Sequence, residues 1–306
     1  MIHFILDKSK NYSLVQYSLL QAIGSFLAPG SFTSAIEKRH PAFLNFALFI
    51  RKPADVVMSH GVADKNYFTD IFDDDGQLYA NRLKSIFVPG PWLKRKLEAF
   101  PGLRVPAEQI KVVGWPRLDL LRAIQKKRPS PKSSKPRVLW APTHDARKRG
   151  DEQLSTSSYP EFEQYLPELE RFFDVSVSVH PRNRTEKTPT DTALLDADYV
   201  ISDFGTLVYE AWALGKPVIF PRWLLGDRIQ QYLPGSAEAH LFEQRIGYHS
   251  GSVEELIETL HQKPTISREV DAFMTDYLDN YREGCASQRV AEELKKLAIS
   301  GVARSA

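Results

Sequence analysis

Cysteine is almost missing: Cys285 is the single one in 306 residues, which excludes an intramolecular disulfide and any Cys-x-x-Cys metal or redox centre. A reducing compartment fits that usage. Long apolar runs are missing too. The most apolar stretch outside the expected strands, AFLNFALFI over residues 42–50, falls far short of the roughly 20 residues that a bilayer span needs. The first ten residues, MIHFILDKSK, lack the basic segment, apolar stretch and small-residue cleavage site of a signal peptide. They read as a first strand, and a cytoplasmic location is expected. Charge of one sign is not in excess: 40 Lys and Arg against 38 Asp and Glu leave +2, too little to argue nucleic-acid affinity from net charge. Nucleic acid is not an expected partner.

What is present suits a folded enzyme-sized chain. Hydrophobic residues are 42% and charged residues 25%, which excludes a disordered or collagen-like chain. At roughly 150 residues per domain the length predicts two domains. Short apolar runs recur at residues 3–6, 56–58, 86–88, 110–113, 138–141, 175–179, 199–201 and 218–220. Most are followed by a polar or Gly/Pro turn and then helical spacing, the order of parallel sheets in an α/β fold. Residues 125–137, QKKRPSPKSSKPR, carry six Lys and Arg, no acid and no apolar residue. That composition marks an exposed linker, with a basic patch facing anionic lipid or a polyanionic acceptor as the sharper reading. The expected domains are therefore 1–125 and 137–306, joined by a linker at 126–136. A polar stretch over 146–158 is expected to be a loop near the ligand.

Imidazoles stand at two expected strand ends. The strand at 55–58 runs into Ser59-His60-Gly61, with Asp64 and Lys65 within a turn; histidine as a residue type titrates near neutral pH, and an imidazole there can take a proton from an attacking hydroxyl. The strand at 175–179 runs into His180-Pro181-Arg182-Asn183-Arg184, where two guanidiniums can meet a phosphate through planar bidentate bonds, or be solvated on a surface turn. Residues 199–206, YVISDFGT, read as strand, tight turn and helix start. Backbone N–H groups and the Thr206 hydroxyl can hold a phosphate at that helix end, with Glu210 one turn along in reach of a ribose hydroxyl.

Taken in order, His60-Gly61 with Lys65, Gly114-Trp115-Pro116-Arg117-Leu118-Asp119, Trp140-Ala141-Pro142-Thr143, His180-Pro181, and Ser202-Asp203-Phe204-Gly205-Thr206 with Lys216-Pro217 form a set. This set resembles the CDP-glycerol glycerophosphotransferase family of teichoic-acid and capsule polymer synthesis. The resemblance implies two Rossmann-like domains facing each other across a cleft (GT-B), with the acceptor on the first and the nucleotide donor on the second. It implies catalytic roles for His60, as the base, and His180. It implies that His180 and the Ser202–Thr206 turn, with Ser202, Asp203, Gly205 and Thr206, hold the donor pyrophosphate and that Pro142 and Thr143 line the same cleft; the residues themselves add His144, Arg182, Arg184 and Glu210 to the expected donor side and Gly61, Asp64, Lys65 and Arg117 to the expected acceptor side. No metal and no cofactor are expected. The partners implied are CDP-glycerol or a related CDP-polyol and a polymer or lipid-linked acceptor, and attachment to the inner face of the membrane stays open. The family's run after His-Gly is Thr-Pro-Leu-Lys, whereas this chain has Val62-Ala63-Asp64-Lys65. Gly205 with a downstream Glu also looks like nucleotide-sugar GT-B enzymes, so a glycosyltransferase or epimerase is the alternative, and a non-catalytic GT-B-like module a third.

Other clusters take plainer readings. Asp73-Asp74-Asp75 lacks the alternating spacing of a calcium loop. His240 and His249 read as surface or core histidines, and the five tryptophans as packing. Residues 12–32 with 42–50 read either as a surface-lying amphipathic element or as a buried helix pair. Helices are expected at 252–261, with Ser252 as N-cap, and at 283–298, packing on the second domain or crossing back to the first.

Overall fold

The computed structural model describes residues 1–9, 13–128, 133–143, 156–179, 190–279 and 283–302. Its chain forms two compact units: Met1–Val62 with Asn66–Arg122 and Thr275–Ala306, and Ala63–Lys65 with Ala123–Met274.

The first unit holds strands β1 (Ile2–Leu6), β2 (Phe32–Ile36), β3 (Leu44–Ala47), β4 (Val56–Met58), β5 (Ser85–Val88) and β6 (Ile110–Val112), with helices α1 (Ser13–Gly24), α2 (Pro91–Ala99) and α3 (Pro116–Lys127). All strand pairs are parallel, in the order β2-β1-β3-β4-β5-β6. Parallel strands covered on both faces need continuous apolar side chains. Ile5, Ala47, Val57, Ile86 and Ile110 supply them at the centre of the core. Helix α2 begins where its sequence says it should, with Gly90 as N-cap and Pro91 at the first helical position.

The second unit holds β7 (Arg137–Ala141), β8 (Asp174–Val177), β9 (Tyr199–Ser202), β10 (Val218–Pro221) and β11 (Tyr248–Ser250). The helices among them are α4 (Leu166–Glu170), α5 (Thr190–Asp196), α6 (Thr206–Ala213), α7 (Arg222–Leu225), α8 (Arg228–Tyr232), α9 (Ala237–Glu243), α10 (Val253–His261) and α11 (Arg268–Leu278). Its sheet is again parallel, in the order β11-β10-β9-β7-β8. Val138, Trp140, Ile201 and Ile219 centre its core, against Leu256 and Leu260 of α10. Ser252 caps α10 as expected, its Oγ accepting from Glu255 N at 3.3 Å.

Helix α12 (Ala286–Val302) belongs to the first unit and packs against α1, β1 and β3. The chain from Thr275 onward therefore groups with the first unit, where a second domain over 137–306 was expected; apart from the short segment Ala63–Lys65, the earlier change of unit falls after Arg122, inside α3. Tertiary bonds explain the return. Tyr277 Oη donates to Val62 O at 2.8 Å, Arg95 pairs with Asp276 at 2.5 Å, and the Asp119 carboxylate accepts from Ser287 N at 2.7 Å at the start of α12. Gly90 leaves no room for a side chain: a Cβ there would lie 2.2 Å from Tyr277 O.

The segment 42–50 is not a helix. Its centre is β3, an interior strand between β1 and β4, and only the preceding segment forms a helix, α1. Among the described residues no helix is long and apolar enough to cross a membrane.

Candidate functional site

In open parallel sheets ligands bind outside the carboxyl ends of the strands, at the point where strand order reverses. In the second unit the chain runs from β7 outward to β8, then back to β9 on the other side of β7, so the reversal lies between β7 and β9. The residues that follow those strands are Pro142-Thr143 and Asp203-Phe204-Gly205-Thr206. They are bonded into one edge. Asp203 Oδ2 accepts from Thr143 N at 2.8 Å and from Ser158 N at 3.1 Å. Ser202 Oγ donates to Ala141 O at 2.7 Å, and Ser157 Oγ donates to Thr143 O at 2.9 Å. Trp140 Nε1 reaches Ser158 Oγ at 3.1 Å. The sequence singles out Thr143, Ser202 and Asp203; Ser157 and Ser158 close the polar stretch 146–158 expected near the ligand, without being singled out, and the rest of that stretch up to 155 lies outside the described residues.

Asp203 is fully buried, and its Oδ1 has no hydrogen-bond partner among the described residues. Burial pushes its carboxyl up to about 6, against the lowering effect of the bonds from Ser158 and Thr143. A buried acceptor atom left unpaired is costly, and a ligand is one way in which its bonding is completed.

Two residues on, Gly205 opens α6 with φ 105° and ψ −170°, a conformation that suits a residue without Cβ, and among the described residues no side chain caps the helix. The first-turn N–H groups of an uncapped helix carry a partial positive charge. Thr206 is half-buried at the first helical position, and Glu210 is 2% exposed one turn further.

Lys65 arrives at this turn from far away in sequence. Its ammonium lies 4.6 Å from the centroid of the Phe204 ring. The segment is fastened by Glu238 of α9, whose carboxylate accepts from Asp64 N at 3.1 Å, Lys65 N at 2.8 Å and Tyr209 Oη at 2.6 Å. The Asp64 carboxylate in turn accepts from Ala237 N at 3.0 Å. Asp64 and Lys65, read from sequence as acceptor-side groups next to His60, thus sit in the second unit, and Asp64 is engaged in capping α9. Glu238 was not foreseen.

In the first unit His60 and Gly61 follow β4, and the imidazole is clasped by aromatic rings. Phe49 stacks on it at 4.5 Å and 17°, and Tyr67 meets it edge-on at 5.7 Å and 64°. Tyr67 is fixed by its hydroxyl, which accepts from Ile50 N at 2.8 Å. The reversal in this sheet lies between β1 and β3. An unforeseen ion triad stands there: Lys52 bonds Asp7 and Glu37, each at 2.6 Å. Arg117 is half-buried at the start of α3, where Trp115 and Leu118 of the same motif are buried. His144, His180, Arg182 and Arg184 lie outside the described residues.

The remaining clusters are structural. Asp73 closes its own turn, accepting from Asp75 N and Gln77 N and pairing with Arg82. Among the described residues no group of three or more His, Cys, Asp or Glu is arranged to hold a metal. Lys216 of the Lys-Pro pair is buried and donates to Leu195 O and Ala197 O after α5; burial lowers its ammonium pKa. His249 is 8% exposed, with Nε2 3.1 Å from Ile246 O, and burial pulls it down to about 4. His240 is half-buried and stacks near Phe273.

No family model matches the chain, and no curated protein does. Solved structures do. The wall teichoic acid polymerase TagF aligns over 98% of this chain and 90% of its own, with a TM-score of 0.62 and 16% identity. A variant of that polymerase soaked with CDPG aligns over 99% and 90%, with a TM-score of 0.64 and 16% identity. UDP-GlcNAc 2-epimerase from Neisseria meningitidis, bound to UDP-GlcNAc, aligns over 97% and 100%, with a TM-score of 0.55 and 14% identity. At these identities the likeness shows the fold: two Rossmann-like α/β units in one chain, the GT-B class that the motif resemblance implied.

Proposed function

We propose that the chain is a transferase of GT-B type that moves a glycerol-phosphate or similar polyol-phosphate unit from a CDP-linked donor to a hydroxyl of a cell-surface polymer or lipid-linked primer, releasing CMP. The observation that carries this reading is the meeting of Pro142-Thr143 and the Ser202–Thr206 turn at the β7/β9 reversal, beside the uncapped start of α6. Those groups hold the donor pyrophosphate, with Glu210 toward the ribose, and His144, His180, Arg182 and Arg184 are assigned to the donor from the sequence alone. His60 is the base, flanked on the acceptor side by Gly61 and Arg117.

The step balances as follows. The acceptor oxygen bonds to the β-phosphorus while the bond from that phosphorus to the bridging oxygen breaks. CMP leaves with the bridging oxygen, and the acceptor proton passes to His60. The chemistry asks for orientation, a base and donors around spread negative charge. The clasp of Phe49 and Tyr67 serves the first need by holding the imidazole in one orientation.

A nucleotide-sugar glycosyltransferase or epimerase is the second reading, favoured by Gly205 with buried Glu210 and by the likeness to an epimerase bound to UDP-GlcNAc. Calorimetric titration with CDP-glycerol, CDP, CMP and UDP separates the two. Selective binding of the cytidine ligands supports the proposal, and preferential binding of UDP replaces it with the second reading.

A further inference from the structure

The spacing from His60 places Lys65 on the acceptor side, and the fold places it elsewhere. Directly after His60-Gly61-Val62 the chain joins the second unit for three residues, Ala63–Lys65, and then returns. The excursion is held at the start of α9 by bonds in both directions. Glu238, which is fully buried, receives the N–H groups of Asp64 and Lys65, while the Asp64 carboxylate receives the N–H of Ala237. Lys65 has φ 44°, a left-handed backbone that residues with a Cβ adopt only when their surroundings impose it. Its side chain therefore starts from a fixed point.

From there the ammonium reaches over Gly205. A Cβ built on Gly205 would lie 3.3 Å from Lys65 Nζ and 3.4 Å from Cε. The charge thus stands over Gly205, the residue that opens α6. A cation and a helix N-terminus give fields of the same sign, and placing one on the other favours an anion in the space between. A second mark of a ligand lies in the same turn: fully buried Asp203 keeps Oδ1 without a hydrogen-bond partner among the described residues. That acceptor suits a hydroxyl or amino donor. An anionic ligand that also carries such donors is a nucleoside diphosphate.

We infer that Lys65 is a donor-phosphate ligand: its ammonium and the first-turn N–H groups of α6 form one cradle over Gly205 for the diphosphate of a nucleotide-linked donor. The inference rests on the reading of the β7/β9 reversal as the nucleotide site. It assigns the lysine to the donor rather than the acceptor, with Glu238 as the positioning residue that fixes its backbone.

The test is calorimetric titration of the full chain and of its Lys65→Gln, Lys65→Met and Lys65→Arg variants with CDP, UDP and cytidine, with thermal melts as a check on folding. Loss of one charge-assisted contact is expected to weaken diphosphate binding roughly ten- to a hundredfold in both neutral variants. Cytidine binding is expected to stay unchanged, and Lys65→Arg to recover most of the loss. Diphosphate binding that survives in Lys65→Gln or Lys65→Met, or an equal loss for cytidine, overturns the inference. A preference for UDP with the same Lys65 effect supports it while removing the CDP reading. Failure of the wild type to bind either diphosphate overturns both.

Discussion

Asp203 Oδ2 and the Thr143 backbone N–H meet at 2.8 Å, joining the ends of β9 and β7 through a carboxylate that no solvent touches. The same oxygen holds Ser158 N, so one buried acid gathers three segments of the candidate donor edge. Burial of an ionised carboxylate disfavours the folded state, and the sign follows from linkage. A carboxyl raised from 3.8 to about 6 binds more protons folded than unfolded between those values, so its contribution to stability falls as pH rises through that window. The cost fully present above pH 6 is on the order of 3 kcal/mol.

Asp203→Asn is expected to remove that cost while keeping an oxygen for Thr143 N and Ser158 N. Thermal melts should therefore show the variant as stable as wild type or more so at pH 7.5, with the advantage vanishing below about pH 4.5. Asp203→Ala, which leaves both N–H groups unpaired, should be less stable by about 2 kcal/mol or more. Nucleotide affinity that falls in the Asn variant despite higher stability would mark the ionised acid as functional.

His249 works against Asp203 in the same unit. Its pKa is pulled from 6.5 down to about 4, so the folded state binds fewer protons than the unfolded one between those values and loses stability as pH falls through them. The two slopes are of opposite sign over about pH 4 to 6. His249→Phe is expected to uncover the Asp203 slope, so that the variant gains stability relative to wild type as the buffer is taken from pH 7 to pH 4.5. A relative loss on acidification would contradict the assignment.

Glu238 joins Asp64, Lys65 and Tyr209 without touching solvent. Glu238→Ala strips acceptors from three donors and is expected to cost about 3 kcal/mol or more, read as a lower urea midpoint. Tyr209→Phe removes one bond of that set and should cost about 1–2 kcal/mol.

The return of the C-terminal segment to the first unit rests on close contacts that a single methyl group tests. Gly90→Ala forces the backbone of Tyr277 away and should destabilise by about 1–3 kcal/mol or more. Asp119→Ala removes the acceptor at the start of α12 and should cost about 1 kcal/mol, with Asp119→Asn recovering most of it. Equal melts for wild type and Gly90→Ala would contradict this packing.

Eight of the eleven strands among the described residues follow from apolar runs; seven of them are largely buried, as covered parallel strands are, and edge strand β8, mostly exposed, shows only as alternating valines. The three that do not show why the rest was hidden. β2 is an edge strand with both exposed and half-buried positions, and β11 is three residues with a histidine in the middle. β3 lies in a nine-residue apolar run, which periodicity alone does not distinguish from a buried helix segment. For the candidate site, Thr143, Ser202, Asp203, Gly205 and Thr206 were visible because strand, small-residue turn and helix follow one another locally. Glu238 and the placement of Lys65 were not, since they depend on a contact between residues 65 and 238 that leaves no local pattern. The return after Thr275 is hidden for the same reason.

The reaction itself is the most direct test. CMP release from CDP-glycerol should be followed with and without a lipid-linked or polymer acceptor, for wild type and for His60→Ala, alongside CDP-glycerol affinity by calorimetry. The proposal predicts acceptor-dependent CMP release by wild type, its loss in His60→Ala, and donor affinity in that variant within about threefold of wild type, since the base acts on the acceptor. CMP release that persists in a folded His60→Ala variant, or a wild type that binds uridine nucleotides and leaves CDP-glycerol intact with every acceptor tried, would contradict it.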